Sequence, residues 1–288
     1  MKKIVLFLLL IIVSFPLFAV GNTEKKENNT VDYTEMSLKE LKSEIKTVVK
    51  GKLTIATSPD FAPYEFYSIN SDKKPVLSGF DISLAYYIAD YLGLEADIIP
   101  MDFDGTIMEL QNKSVDLGIS GYSPAPEREN TMDFSDIYFS SEQAFVCLKS
   151  NESKFRTISD TNNKNYSIAV QIGSIQAGLA QKYSPDSDII SLSKVTDIIA
   201  ELISGKITGA YIEKPVAEYY IKNYPQLCIV LDVPYDSEGS VVGISKGNHA
   251  LREGVNRAIA QVLSDGTMVK FIEEANNLAS GDIYEGII

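Results

Sequence analysis

Two consecutive runs of alternating strand and helix signals constrain this chain more than any other feature. In the first, Lys52–Thr57 (KLTIAT) reads as a strand. Phe80–Leu92 reads as a helix, with Ile82, Leu84, Ala85, Ile88 and Ala89 on one face and Gly93 as its stop. A strand at 96–101, a helix at 106–112 and a strand at 115–120 follow. The pattern restarts after Asn151, with strands at 166–171, 189–192, Gly209–Glu213 and 227–231 separated by helices at 174–183, 196–204 and Lys214–Asn223. After Ser240–Ser245 the chain ends in helices at 248–264 and 266–277. Parallel neighbours need a crossover connection, and helices supply it. Alternation of this kind argues an α/β protein with parallel sheet flanked by helices, and 288 residues suffice for two domains of ordinary size.

The segment before the first run has a different character. Residues 1–21 have the form of an export leader: Lys2-Lys3, an apolar stretch at 4–18 containing Pro16, then the small residues Ala19-Val20-Gly21. The apolar stretch is short for a membrane span. No cysteine follows it, so the expectation is an exported, periplasmic protein without a lipid anchor. Residues 22–35 are polar and charged. Ser37-Leu38-Lys39-Glu40 reads as a capping box that opens an extra helix, whose apolar face is Leu38, Leu41, Ile45, Val48 and Val49.

Charge and side-chain inventory exclude several functions. The net charge of −13 becomes −15 once Lys2 and Lys3 leave with the leader, which argues against nucleic acid as a partner. Cys147 and Cys228 lie in the apolar runs AFVCLK and LCIVL and read as buried small side chains rather than a disulfide. His249 is the sole histidine, so no Cys/His metal site is expected, and no cofactor. Hydrolase chemistry has weak support, because the single histidine lies in the carboxy-terminal segment.

The residues that carry chemistry cluster near strand ends. In GYSPAPERENTMDFSDIY (121–138), Arg128 stands five residues after Ser123 and seven after Gly121. A guanidinium grips a carboxylate with two parallel charge-assisted hydrogen bonds, and small neighbours let further donors approach the same oxygens. Phe61, in DFAPYEF after the first strand, and Phe103, in MDFDG, offer apolar walls for a ligand side chain or, by cation–π attraction, for a cation. Gln171-Ile172-Gly173-Ser174 is a strand end, a turn and a helix start, where free N–H groups attract anions. Glu213 precedes Lys214-Pro215 at another strand-to-helix junction.

Together these segments resemble the extracytoplasmic amino-acid-binding proteins of ABC importers, solute-binding protein family 3, from about residue 50 to 285. The motifs that match are Gly-x-(Ser/Thr)-x-x-x-Glu-Arg followed by Phe-Ser-Asp-x-Tyr, and an acid two residues before Pro. The resemblance implies the two-lobed type II periplasmic binding fold. Lobe one would be 51–145 plus 242–288 and lobe two 146–241, with crossings near 144–148 and 241–245. It implies that Arg128, Ser123 and the Ser174 amide hold a ligand carboxylate, with Gly121 beside them, and that Glu213 holds the α-ammonium. Phe61 and Phe103 would flank the side chain, with Ser58 and Gln171 nearby. Glu213 replaces the usual aspartate, Ile175 a common hydroxyl residue, and Ser58 an acid often found with basic or amide ligands. Asp60, Asp102, Asp104 or Gln171 could compensate for Ser58, and Tyr64 and Tyr122 could add hydroxyls. The expected function is binding of a polar amino acid, neutral or basic, by a monomer that delivers it to an ABC permease. Alternatives on the same fold are a cyclohexadienyl dehydratase-like enzyme and a sensor that docks on a receptor.

Overall fold

The computed structural model describes residues 31–235 and 239–284, so the expected leader and the stretch 22–30 lie outside the described residues. A compact unit starts at Tyr33. In it, β1 (Lys52–Thr57), β4 (Glu95–Pro100), β5 (Leu117–Tyr122), β6 (Met132–Phe139) and β12 (Ser240–Ser245) form a sheet in the order β4-β1-β5-β12-β6. β1, β4 and β5 run parallel, and β12 is antiparallel to both its neighbours. A second sheet repeats the plan. β7 (Gln143–Leu148), β8 (Ser167–Gln171), β9 (Asp188–Leu192), β10 (Gly209–Glu213) and β11 (Leu227–Val233) take the order β11-β7-β10-β8-β9, and again the outer three are parallel.

Helices cover these sheets because their apolar stripes match the sheet faces. α2 (Phe80–Leu92), α3 (Phe103–Gln111), α7 (His249–Ser264) and α8 (Thr267–Ala279) belong to the first sheet; α4 (Ile175–Tyr183), α5 (Val195–Ile203) and α6 (Lys214–Asn223) to the second. α2 buries Ile82, Leu84, Ala85, Ile88 and Ala89, as its spacing predicts, and stops at Gly93, whose φ of 73° is left-handed. Burying each such Leu or Ile contributes roughly 1.5–3 kcal/mol. A small third sheet, a hairpin of β2 (Phe66–Asn70) and β3 (Pro75–Ser78) joined by β13 (Ile283–Tyr284), is not foreshadowed by the sequence reading.

The crossings differ from the expected positions. β7 lies wholly in the second sheet and β12 wholly in the first, so the chain crosses between Phe139 and Gln143 and again between Val233 and Ser240. A boundary at 145/146 would cut β7. Apolar alternation marks a strand but not the sheet it joins, which long-range pairing decides. The carboxyl ends of β1, β5, β8 and β10 are where Ser58, Gly121, Gln171 and Glu213 sit. In open α/β sheets ligands bind outside the carboxyl ends of parallel strands.

The extra N-terminal helix α1 (Leu38–Glu44) packs on α7 and buries Leu41 completely. Its capping box is formed: the Glu40 amide donates to Ser37 Oγ (3.3 Å) and the Ser37 amide to Glu40 Oε2 (2.9 Å). Arg257 of α7 donates to the carbonyl oxygens of Met36 (2.7 Å), Tyr33 (2.9 Å) and Thr34 (2.9 Å) and pairs with Glu253 (2.7 Å). Those carbonyls precede the helix. Arg257→Ala should therefore lower unfolding free energy by about 2 kcal/mol and speed amide exchange across residues 33–44. Unchanged exchange there would show that Leu41 alone anchors the segment.

Candidate functional site

Ser58, Phe61, Phe103, Gly121, Ser123, Arg128, Gln171, Ser174 and Glu213, all expected from sequence, line one cavity between the two sheets. Arg128 dominates its electrostatics. A short 3-10 turn, Pro126–Arg128, turns the side chain inward, where it is only 7% exposed. Nη2 donates across the cleft to the Gly173 carbonyl (2.7 Å) and Nη1 reaches the Ser123 carbonyl (3.4 Å). The guanidinium also lies 5.8 Å from the Phe103 ring centre and 5.9 Å from that of Tyr122. Among the described residues no carboxylate comes within ion-pairing distance of it. Burial pulls its pKa down, the expected sign for a cation removed from water.

The second lobe meets Arg128 with the start of α4. Ser174 caps that helix, but its hydroxyl donates to the Gln171 carbonyl (2.8 Å) and its amide points to the same oxygen (3.3 Å). The first amides of α4 without an intrahelical acceptor are those of Ile175 and Gln176, which also line the cavity. The Ser174 amide, expected to hold a ligand carboxylate, is used locally by the turn, and the open amides are those of the next two residues. Gly121 is also different from expectation. Its φ of 56° suits glycine, and a Cβ there would meet a Phe61 ring carbon at 2.8 Å. Its N–H turns away from the cavity to Asp81 (2.9 Å).

Acids gather at the other side. Glu213, 1% exposed, accepts from Tyr64 Oη across the cleft (2.9 Å). Burial pushes its pKa up to about 7, while hydrogen bonds from Ser141 and Tyr64 pull the other way. Glu65 is fully buried and accepts from Ser120 Oγ (2.5 Å). Asp81 lies beside it and accepts from Tyr138 Oη (2.8 Å) as well as from Gly121. Burial, and then the Asp81 charge, raise the Glu65 pKa well above the carboxylate range, and burial lifts Asp81 to about 6. Asp81 has the donors, so Glu65 is the partner that keeps the proton, an arrangement dictated by two acids sharing one dry site.

Asp60 spans the cleft: Oδ2 accepts from the Val195 amide at the start of α5 (2.6 Å) and from Gln171 Nε2 (3.3 Å). Ser58 donates to its other oxygen (2.9 Å). Asp102 and Asp104 are not cavity residues; Asp102 sits at the surface 4.0 Å from Lys194. Tyr122 bonds Thr106 beneath the cavity, and Tyr64 is committed to Glu213. Sequence reasoning assigned no role to Glu65, Ser120 or Gln176. The one available signal was an acid inside the apolar loop FAPYEF.

Chemically, the cavity is a cation with helix amides at one side and carboxyl groups at the other, walled by two phenyl rings. This is the interlobe cleft of a type II periplasmic binding protein. The model of bacterial extracellular solute-binding proteins, family 3, matches residues 53–275, and the chain belongs to that family. It is 31% identical over 225 residues to the arginine-binding extracellular protein ArtP of Bacillus subtilis, covering 77% of this chain and 84% of that one. Among solved structures it resembles the amino acid ABC transporter substrate-binding protein AbpA from Streptococcus pneumoniae, bound to L-arginine. That match has a TM-score of 0.76 and 33% identity, and covers 84% of this chain and 98% of the other. It also resembles the ancestral amino-acid-binding protein AncCDT-1, described as a precursor of cyclohexadienyl dehydratase (TM-score 0.70, 30% identity, 83% of this chain and 99% of that one). These relatives are solute-binding proteins, and the chain is a binding component rather than an enzyme.

Glu213 makes the ligand-free protein sensitive to pH. Its folded pKa of about 7 exceeds the ordinary 4.5, so its neutral form stabilises the fold fully below about 4.5. That contribution is lost as pH rises through about 7. Between these limits wild type should lose on the order of 3 kcal/mol relative to Glu213→Gln, measured by denaturant unfolding at each pH. Parallel pH profiles for the two proteins would contradict the assignment.

Proposed function

We propose that this chain binds a free polar L-amino acid, neutral or basic and arginine first among them, in the cleft between its lobes. The observation that carries the reading is Arg128: a buried guanidinium without a carboxylate partner among the described residues, placed against the start of α4. The ligand's carboxylate would complete its pairing and take the Ile175 and Gln176 amides. Its α-ammonium would go to Glu213, and Phe61 and Phe103 would flank its side chain. Asp60 and Gln171 would receive a cationic or polar tip, which offsets the absence of an acid at Ser58. The arginine-binding names of ArtP and the arginine-bound AbpA support this choice.

Grip from both lobes makes closure the ligand-favoured state, a population shift about the two crossings. The form delivered to an ABC permease is then the closed, loaded monomer. Such a role suits an exported, periplasmic protein, and the family description is extracellular.

Calorimetric titration with the standard amino acids and ornithine tests the reading, and L-arginine should give the strongest signal. Arg128→Met should weaken binding at least ~100-fold, or about 3 kcal/mol, without lowering the melting temperature of the ligand-free protein, because it removes an uncompensated buried charge. Binding of no amino acid would overturn the assignment. Affinity should also fall as pH drops below about 7, because the ammonium needs Glu213 ionised.

A further inference from the structure

The amino-acid site leaves the two cysteines unused, and the fold places them together. Cys147, the fifth residue of β7, and Cys228, the second of β11, are direct partners in the antiparallel ladder. Their Sγ atoms lie 3.9 Å apart, and Cys228 Sγ is 3.7 Å from the Cys147 carbonyl oxygen. Cα atoms of facing residues in such a ladder are about 4.5–5.5 Å apart, within the span that a disulfide bridges. β11 is the edge strand of its sheet and pairs there with β7. A shift in register between Ile229 and Leu231 separates its first residues from the rest of the ladder. Neither cysteine lines the ligand cavity.

We infer that Cys147 and Cys228 form a reversible cross-strand disulfide that fastens the start of β11 to β7. This goes beyond the sequence reading of two buried small side chains and does not depend on the ligand. The oxidant is a disulfide of the thiol–disulfide exchange class. Cys228, the half-buried member, attacks as thiolate and displaces one thiolate from the oxidant. Cys147, fully buried, then attacks Cys228 Sγ and displaces the second. Two S–H bonds become one S–S bond, the oxidant takes up two electrons, and the protons end on its two thiols. Burial, and next the neighbouring sulfur, push the Cys147 thiol up to about 12, so the second step is slow at neutral pH and faster in alkali. The closed loop spans 81 residues, long enough for the crosslink to restrict the unfolded chain strongly.

Oxidised glutathione at mildly alkaline pH is the probe, with thiols counted after denaturation and intact mass recorded. The expected product is a monomer with no free thiol, lighter by two hydrogen atoms. Its melting temperature should rise by on the order of 5–10 °C and fall back with dithiothreitol. Cys228→Ser should abolish the rise while keeping L-arginine binding at the level of the untreated protein. Two persisting thiols, glutathione caps on both sulfurs, or a crosslink between chains would each overturn the inference. Loss of amino-acid binding with the disulfide intact would count against the ligand assignment instead.

Discussion

A guanidinium removed from water with no carboxylate beside it among the described residues is the constraint on which the site depends. Burying such a charge costs several kcal/mol even after relaxation. At Arg128 the protein offsets only part of that cost, with a carbonyl from the opposite lobe and two aromatic faces. Filling the site with an internal acid would have been more stable and would have consumed the cation. Leaving it open concentrates positive potential at one side of a cavity whose other side holds Glu213, Glu65 and Asp60. That polarity matches a zwitterion in one orientation. It also explains why the acids carry raised pKa values: they too are buried without a full complement of cationic partners.

The fold makes this arrangement possible by presenting two sheets of the same plan to one cleft. Strand ends and helix starts are where backbone groups remain unpaired, so each lobe brings both side chains and amides to the gap. Neither lobe holds a complete set. Arg128 and Glu65 come with the first sheet, while Glu213 and the α4 amides come with the second. The contacts that already span the cleft, from Asp60 to the Val195 amide and from Tyr64 to Glu213, register one lobe against the other. A ligand that touches both sets adds to that registration.

Much of this was legible in the sequence because the carrying residues sit in local patterns. The strand–helix alternation, Arg128 after its small-residue turn and Glu213 before Lys-Pro are each readable within a dozen residues. What was hidden depends on partners far along the chain. Glu65 looks like an ordinary loop acid until Ser120 and Asp81 close over it. Asp81 stands in the first turn of α2, where a surface acid would serve the helix dipole equally well. The sheet membership of β7 follows from pairings to β10 and β11 that lie more than sixty residues away. Ser174 shows the converse: a residue that lines the cavity but whose amide and hydroxyl the turn already uses.

The central claim is that Arg128 is reserved for a ligand carboxylate. Calorimetric comparison of L-arginine with agmatine, which keeps the guanidinium and amine but lacks the carboxylate, tests it most directly. The account predicts clear binding of L-arginine and affinity at least ~100-fold weaker for agmatine, the loss of about 3 kcal/mol of charge-assisted pairing. Agmatine bound as tightly as L-arginine would mean that the cavity grips its ligand by the side chain alone and that Arg128 serves some other purpose.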